Sequence, residues 1–184
     1  MTRMFVALGI DKEIRDNIGK ISDLFDDSIL KARFTPSDNL HVTLKFIGEK
    51  SDNDIDDIIE AIKNASSGFS PFNVTFEGMG VFPNSKSPRI LWVGMTSDAL
   101  PSLAKSVEEK LSELGIKKET RPFRSHVTIA RIKEAYSARK INDIIESSKE
   151  SWYGTQKISS IELKKSILTP KGPIYSTLGD EVLL

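Results

Sequence analysis

The same tetrapeptide pattern occurs twice in the chain, as HVTL from His41 and as HVTI from His126. The protein contains only two histidines, and each of them opens one copy. Because side chains alternate between the two faces of a β-strand, residues two positions apart share a face. Each imidazole therefore lies beside a threonine hydroxyl, from Thr43 in the first copy and Thr128 in the second, while the intervening apolar residues face a core.

An imidazole can exchange a proton near neutral pH, because the pKa of an unperturbed histidine is about 6.5. Across a shared cleft, one of the pair His41 and His126 can deprotonate an attacking water while the other protonates a leaving oxygen. Thr43 and Thr128 can donate hydrogen bonds to phosphate oxygens, where transition-state charge is held. Two histidines without a third ligand make a poor zinc site, and this scheme needs no metal. The paired motifs thus predict metal-free acid–base catalysis on a phosphate ester.

A single His-x-Thr sequence is usually part of an ordinary strand, since both residue types are tolerated there. The pair is more informative, because both histidines occupy the same frame on the same kind of predicted element, one in each half. Around the second copy, six basic residues outnumber one acidic residue and would attract a phosphate. The basic residues are Arg121, Arg124, Arg131, Lys133, Arg139 and Lys140.

Strict alternation assigns other side chains to one face or the other. It places Lys45 on the face of the first histidine. It places Arg131 on the face opposite the second, so that only a bulge, a twist or a strand end would bring this guanidinium to a cleft. Phe5, Phe46 and Trp92 are candidates to stack a nucleobase, although core packing is the more common role of such residues.

The composition is that of a globular protein: 184 residues, of which 39% are hydrophobic and 28% charged. The formal net charge is zero, so any contact with nucleic acid must be local, to an end rather than to a long duplex. The absence of cysteine excludes a disulfide framework and a thiolate nucleophile. There is no apolar run long enough for a membrane span and no signal-like start. We expect a cytoplasmic monomer without membrane contact.

Strand and helix patterns follow the order β-α-β-α-β and then β-α-β-α-β-β. The predicted strands are 4–10, 40–47, 72–81, 89–95, 123–132, 157–168 and 174–178. Helices are predicted after a cap at Asp11, after a capping box at Ser51 and Asp54, and over 98–114 and 137–147. Residues 31–39 are predicted to be a polar connection and residues 169–173 a turn.

This order indicates a divergent internal duplication with one motif in each half. We expect an α+β fold in which two mainly antiparallel sheets, backed by helices, enclose a central cleft. Residues 1–184 would form one bilobal domain, and its pseudo-symmetric halves would meet near residues 81–98.

The motifs and their surroundings resemble the two-histidine (2H) phosphoesterase superfamily, which is defined by two His-x-Thr-x motifs. More narrowly, the chain is similar to the RNA 2′,3′-cyclic phosphodiesterases, historically called 2′-5′ RNA ligases. The similar segments are MFVALGI, NLHVTLKFIGE, RILWVGM and PFRSHVTIARIK. The resemblance implies a bilobal fold with pseudo-twofold symmetry and both motifs in the central cleft.

The resemblance also implies hydrolysis of a terminal 2′,3′-cyclic phosphate, on RNA ends or nucleotides, to a 2′-phosphate without metal or cofactor. His41 would protonate the departing O3′ and His126 would activate water. Thr43 and Thr128 would hold the phosphate, and Arg131 matches the family's arginine in the second block. Ligation would be the same chemistry reversed, with a 5′-hydroxyl in place of water.

One departure from the family is visible, because Ser125 stands where a proline often precedes the second histidine. Proline would restrict the backbone and remove an amide donor, so serine leaves this histidine less fixed or adds a donor to the site. Two other functions stay open. One is a 2H phosphoesterase for another cyclic nucleotide or a 2′-5′-linked metabolite. The other is a catalytically silent module that binds RNA ends.

Overall fold

The computed structural model describes residues 1–170 and 172–183. Within them lie nine strands: β1 (Thr2–Leu8), β2 (Leu30–Phe34), β3 (Val42–Lys50), β4 (Phe72–Phe82), β5 (Ile90–Thr96), β6 (His126–Ala135), β7 (Trp152–Ile158), β8 (Ser160–Thr169) and β9 (Gly172–Val182). The α-helices are α1 (Lys12–Gly19), α2 (Ile55–Ser66), α3 (Leu100–Glu113) and α4 (Ala138–Ser147). The predicted turn over 169–173 includes Lys171, which lies outside the described residues.

The strands form two antiparallel sheets, which confirms the predicted α+β class. Sheet A has the order β3-β1-β8-β9, and sheet B has the order β2-β6-β5-β4-β7. Each motif strand pairs with the first strand of its own half, β3 with β1 and β6 with β5. The halves also exchange strands. The second half contributes β8 and β9 to sheet A, and the first half contributes β2 and β4 to sheet B.

Two helices cover each sheet. Helices α2 and α3 pack against each other, with α2 against β8 and β9 and α3 against β3. Helix α1 contacts β7, and α4 contacts β4. Each helix buries apolar residues against its sheet, such as Ile58 and Ile62 in α2 and Leu103 and Leu111 in α3. None of the described helices has both the length and the apolar character that crossing a membrane requires.

Side-chain caps are found before α2 and α4 but not before α1. The capping box is present, since Ser51 accepts from a backbone amide of the following turn and Asp54 accepts from the amide of Ser51. Ser137 caps α4 by accepting from the amide of Lys140 at 3.3 Å. Asp11 precedes α1, but its side chain makes no capping hydrogen bond.

Two strand predictions were wrong. Strand β2 overlaps the first part of the segment 31–39, which was predicted to be a polar connection. It is an edge strand in which Lys31 and Arg33 alternate with more buried residues, and it pairs with β6. The single strand predicted over 157–168 is two strands in different sheets, β7 in sheet B and β8 in sheet A, separated at Ser159. A chain that passes between sheets without a glycine or proline gives no local sequence signal of the break.

Candidate active site

The two motifs show the same pattern of burial. The residue after each histidine and the residue after each threonine are buried, namely Val42, Leu44, Val127 and Ile129. The histidines and threonines themselves are half-buried. This is the alternation predicted from the sequence. The side of each sheet that carries its histidine and threonine is called its motif face below.

One extra residue follows the first motif in β3. Thr43 pairs with Ala7 in β1, but the next pair joins Lys45 to Val6, so that Leu44 has no opposite residue. This β-bulge reverses the alternation, and Leu44 and Lys45 are both buried. The prediction that Lys45 shares a face with the first histidine is therefore wrong, because its side chain lies in the core.

The same irregularity follows the second motif in β6. Thr128 pairs with Trp92 in β5, and the next pair joins Ala130 to Leu91, which leaves Ile129 as the extra residue. Ile129 and Ala130 are both buried, and the alternation resumes one position later. The two halves therefore share a bulge as well as a motif, at the same distance from the histidine. This correspondence supports the predicted duplication.

The bulges place Phe46 and Arg131, each five residues after its histidine, on the motif faces. Both side chains are exposed, Phe46 by 60%. Strict alternation would have placed Arg131 on the face opposite His126, whereas the bulge places it on the same face. Burial raises the pKa of Tyr175 in β9, and the charge of Arg131 acts to lower it. Arg131 of sheet B thus lies within electrostatic range of sheet A, and β3 and β6 lie close together.

His41 is held in an aromatic environment. Its Nδ1 lies 2.7 Å from the carbonyl oxygen of Asn39. Its ring centroid lies 4.9 Å from that of Phe5 and 5.1 Å from that of Tyr175. A carbonyl only accepts hydrogen bonds, so Nδ1 carries the hydrogen and Nε2 is the nitrogen that can exchange a proton with a substrate.

His126 is held in the same way. Its Nδ1 lies 2.7 Å from the carbonyl oxygen of Arg124, again the residue two positions before the histidine. The ring of Phe82 meets the imidazole edge-on at 5.2 Å, and the guanidinium of Arg124 lies 5.6 Å above that phenyl ring. Both motifs therefore fix the same tautomer through the same backbone contact, which leaves Nε2 as the reactive atom in each.

The two imidazoles differ in their electrostatic surroundings. Burial lowers the pKa of His41, and the charge of Lys164 lowers it further. The hydrogen bond to the Asn39 carbonyl and the charge of Glu162 oppose this shift without cancelling it. The free protein therefore keeps His41 neutral at pH 7, because burial penalises the charged imidazolium.

Of the three aromatic residues that could stack a base, one is mostly exposed. Phe5 is buried and packs on His41. Trp92 is half-buried over Gly80, where a Cβ would come within 2.3 Å of the indole ring. Phe46 remains exposed on the motif face. Contacts with His41 and with Gly80 thus occupy Phe5 and Trp92, and Phe46 is the candidate that solvent can reach.

Four residues around His41 had no signal in the sequence, namely Arg15, Glu162, Lys164 and Tyr175. Glu162, Lys164 and Tyr175 come from β8 and β9, more than 100 positions along the chain, and strand exchange alone brings them to this sheet. Over residues 1–170 and 172–183 there is no group of three or more histidine, cysteine, aspartate or glutamate side chains placed to hold a metal ion.

Comparison with known proteins identifies relatives over nearly the whole chain. The family model for LigT-like phosphoesterases matches twice, over residues 8–92 and 93–175. The chain is 38% identical to the RNA 2′,3′-cyclic phosphodiesterase of Archaeoglobus fulgidus, covering 96% of this chain and 97% of that protein. It is 35% identical to the protein of the same name from Methanocaldococcus jannaschii, covering 97% and 99%.

Solved structures give the same result for the fold. The crystal structure of TT0787 from Thermus thermophilus superposes with a TM-score of 0.83 at 26% identity, covering 98% of this chain and 97% of that one. The crystal structure of E. coli LigT complexed with 3′-AMP gives a TM-score of 0.81 at 24% identity, covering 99% and 98%. At this identity the second likeness shows the fold alone.

Proposed function

The chain belongs to the LigT-like phosphoesterase family, and from this premise we propose that it is an RNA 2′,3′-cyclic phosphodiesterase. It hydrolyses a terminal 2′,3′-cyclic phosphate to a 2′-phosphate. The observation that supports the proposal is the repeated motif itself. Each copy holds an imidazole through Nδ1 beside a threonine, and two relatives of this name match along 97% and 99% of their length.

In the proposed reaction, Nε2 of His126 takes a proton from water as the water oxygen attacks phosphorus. The bond from phosphorus to O3′ breaks, and Nε2 of His41 gives its proton to O3′. The product carries its phosphate on O2′ and a hydroxyl on C3′. Run in the same direction with a 5′-hydroxyl in place of water, the same steps form a 2′-5′ linkage: the 5′-oxygen attacks phosphorus and O3′ leaves with the proton of His41.

His41 must be protonated to act as the acid, although its environment in the free protein favours the neutral form. The bound phosphate supplies the missing stabilisation, because an anion beside an imidazole favours the imidazolium. Substrate binding and protonation of His41 are therefore coupled in this proposal. His41 is therefore able to donate its proton once the phosphate is bound.

The remaining groups hold the substrate. Thr43 and Thr128 donate hydrogen bonds to the non-bridging phosphate oxygens, and Arg131 adds a positive charge on the motif face of sheet B. Phe46 occupies the equivalent position of sheet A, where an exposed phenyl ring can stack a base of the RNA. The two equivalent positions after the bulges thus have different roles in this proposal. Arg131 binds the phosphate, and Phe46 stacks on a base.

We further propose that residues 1–184 form one bilobal domain whose halves meet near residues 81–98. The two matches of the family model, which adjoin between residues 92 and 93, support this boundary. The exchange of strands between the sheets supports a single unit rather than two separable domains. A monomeric state and a cytoplasmic location are the accompanying predictions.

The deciding experiment incubates the protein with an RNA oligonucleotide that ends in a 2′,3′-cyclic phosphate, with and without a chelator. We expect ring opening in both cases, with a 2′-phosphate as the product identified by phosphorus NMR. His41→Ala and His126→Ala should each abolish measurable turnover. Opening of small cyclic nucleotides but not of RNA would favour the metabolite alternative. Binding without turnover in the wild type would favour the silent RNA-end module.

A further inference from the structure

A cavity of about 210 Å³ adjoins His41 on sheet A. Its walls come from the end of β1, from α1, from the segment before β3, and from β8 and β9. The side chains that give it polar character are Arg15, Asp38, Glu162, Lys164 and Tyr175. At about 30 Å³ per water, this space equals that of roughly seven waters, which is enough for a nucleobase.

The charges around the cavity cancel in pairs. Lys164 Nζ lies 2.6 Å from Glu162 Oε2, and both side chains are about one-fifth exposed. At the mouth, Arg15 Nη1 lies 2.9 Å from Asp38 Oδ1, whose side chain is 95% exposed. A phosphate entering here would meet two carboxylates as well as two cations. The cavity therefore favours a neutral group that both donates and accepts hydrogen bonds.

The carboxylate of Glu162 is well prepared to accept hydrogen bonds. Although burial alone raises the pKa of Glu162, hydrogen bonds from Lys164 and Thr177 hold it below its ordinary value. Thr177 Oγ1 donates to Oε2 at 2.7 Å, and Oε1 lies against Gly9, where a Cβ would be only 2.8 Å away. The carboxylate is thus ionised and fixed from two sides.

The segment after β1, which adjoins Glu162, is also held in place. The buried side chain of Gln156, from β7 of sheet B, donates through Nε2 to the carbonyl of Gly9 at 3.0 Å and accepts at Oε1 from the amide of Asp11 at 2.8 Å. The Nε of Arg15 is buried and has no hydrogen-bond partner among the described residues. The ring of Tyr175 closes the side nearest the imidazole. One aromatic wall with donors and acceptors along the edges suits a flat heterocycle.

We propose that this cavity binds the base of the nucleotide that carries the cyclic phosphate, and that it prefers guanine. The inference rests on the function proposed above, since His41 is shared by the cavity and the phosphate site. Guanine presents adjacent N–H donors to one carboxylate and its O6 and N7 acceptors to a neighbouring cation. Uracil has no amino group, so it leaves part of the Glu162 carboxylate without a donor.

The test compares kcat/KM for guanosine and uridine 2′,3′-cyclic monophosphates. We expect the wild type to prefer guanosine about tenfold or more, the discrimination typical of one bidentate contact. Glu162→Gln should reduce this ratio several-fold, because an amide cannot accept from both donors. Glu60→Gln is the matched control, since it removes an exposed carboxylate paired with Lys63 on α2 and should leave the ratio unchanged.

The ratio of kcat/KM for the guanosine and uridine substrates distinguishes selection of the base from a general effect on catalysis. If Glu162 acts only through the charge on His41, both substrates slow by the same factor and the ratio stays constant, which overturns the inference. A wild-type ratio near one overturns it as well. Arg15→Gln provides a second variant on the other ion pair, with the same expected fall in the ratio. Melting temperatures establish that each variant is folded.

Failure of the proposed function has a different signature. In that case the wild type opens neither cyclic phosphate, and calorimetry with guanosine 2′-monophosphate and uridine 2′-monophosphate then tests the cavity without turnover. About tenfold tighter binding of the guanosine compound, lost in Glu162→Gln, supports the inference. Equal binding of the two compounds overturns it.

Discussion

Replacing Lys45 by methionine should destabilise the protein without touching the motif face. The bulge after the first motif turns this side chain into the core, where it is only 1% exposed. Its Nζ lies 2.9 Å from Glu108 Oε1 and 2.6 Å from the carbonyl oxygen of Lys117. Methionine has a similar length and fills the space, so the main loss is that of the buried ammonium group.

The magnitude follows from what the substitution leaves behind. Removing one partner of a buried ion pair costs about 3–5 kcal/mol, because the other charge stays desolvated. The side chain of Glu108 is 21% exposed and keeps a hydrogen bond from the amide of Glu119, so water and this amide recover part of the loss. We therefore expect a loss of about 2–4 kcal/mol. For a chain of this size the melting temperature should fall by roughly 5–15 °C.

The assay is urea unfolding at pH 7, with a thermal melt in parallel. Lys105→Met is the matched control, since this lysine on α3 pairs with Glu109 at 3.8 Å and is 77% exposed. It should change the unfolding free energy by less than about 0.5 kcal/mol. Adding Glu108→Gln to Lys45→Met should restore part of the stability, because the unpaired buried charge is then gone. Equal effects of Lys45→Met and Lys105→Met would refute the reasoning.

Three further predictions concern the site. His41→Asn and His126→Asn should each lower kcat by about 10²–10⁴, and the double variant should lose less than the product of the two, which single-turnover kinetics can measure. Arg131→Ala should lower kcat/KM by about tenfold or more through loss of a charge-assisted phosphate contact, whereas Lys133→Ala, beyond it on β6, should have a smaller effect in the same assay. The third concerns stability and pH. Burial lowers the pKa of His41, so the unfolded chain binds more protons than the folded one between that lowered value and about pH 6.5. The unfolding free energy should fall as the pH drops through this window, and His41→Asn should remove this part of the slope in urea titrations.

The histidines and threonines could be placed from the sequence because alternation with a period of two holds up to the threonine. Their shared face, the buried residues between them and the class of fold were all predicted from this pattern and the repeat. The catalytic roles of these residues remain predictions. What makes the assignment strong is that the pattern occurs twice around the only two histidines.

Strict alternation misplaces both Lys45 and Arg131, and for the same reason. A bulge adds a residue that no composition rule reveals, because Leu44 and Ile129 are ordinary strand residues. The positions that directly follow the bulge then move to the other face. A lysine expected on the face of the first histidine is in the core, and the arginine that strict alternation turns away lies on the motif face.

Because β1 pairs with both β3 and β8, sheet A cannot form completely until β8 has been synthesised. Arg3 lies opposite Ser166 and Val6 opposite Leu163, so β1 leaves a ribosome about 160 residues before the strand with which it pairs. Until then β1 has an open edge, and sheet A lacks two of its four strands. Pairings this distant in sequence carry a large loop-closure cost and slow the search for the native state. Sheet A is therefore completed only after β8 and β9 have been synthesised, and a chain interrupted between the halves would yield two fragments that need each other to close their sheets.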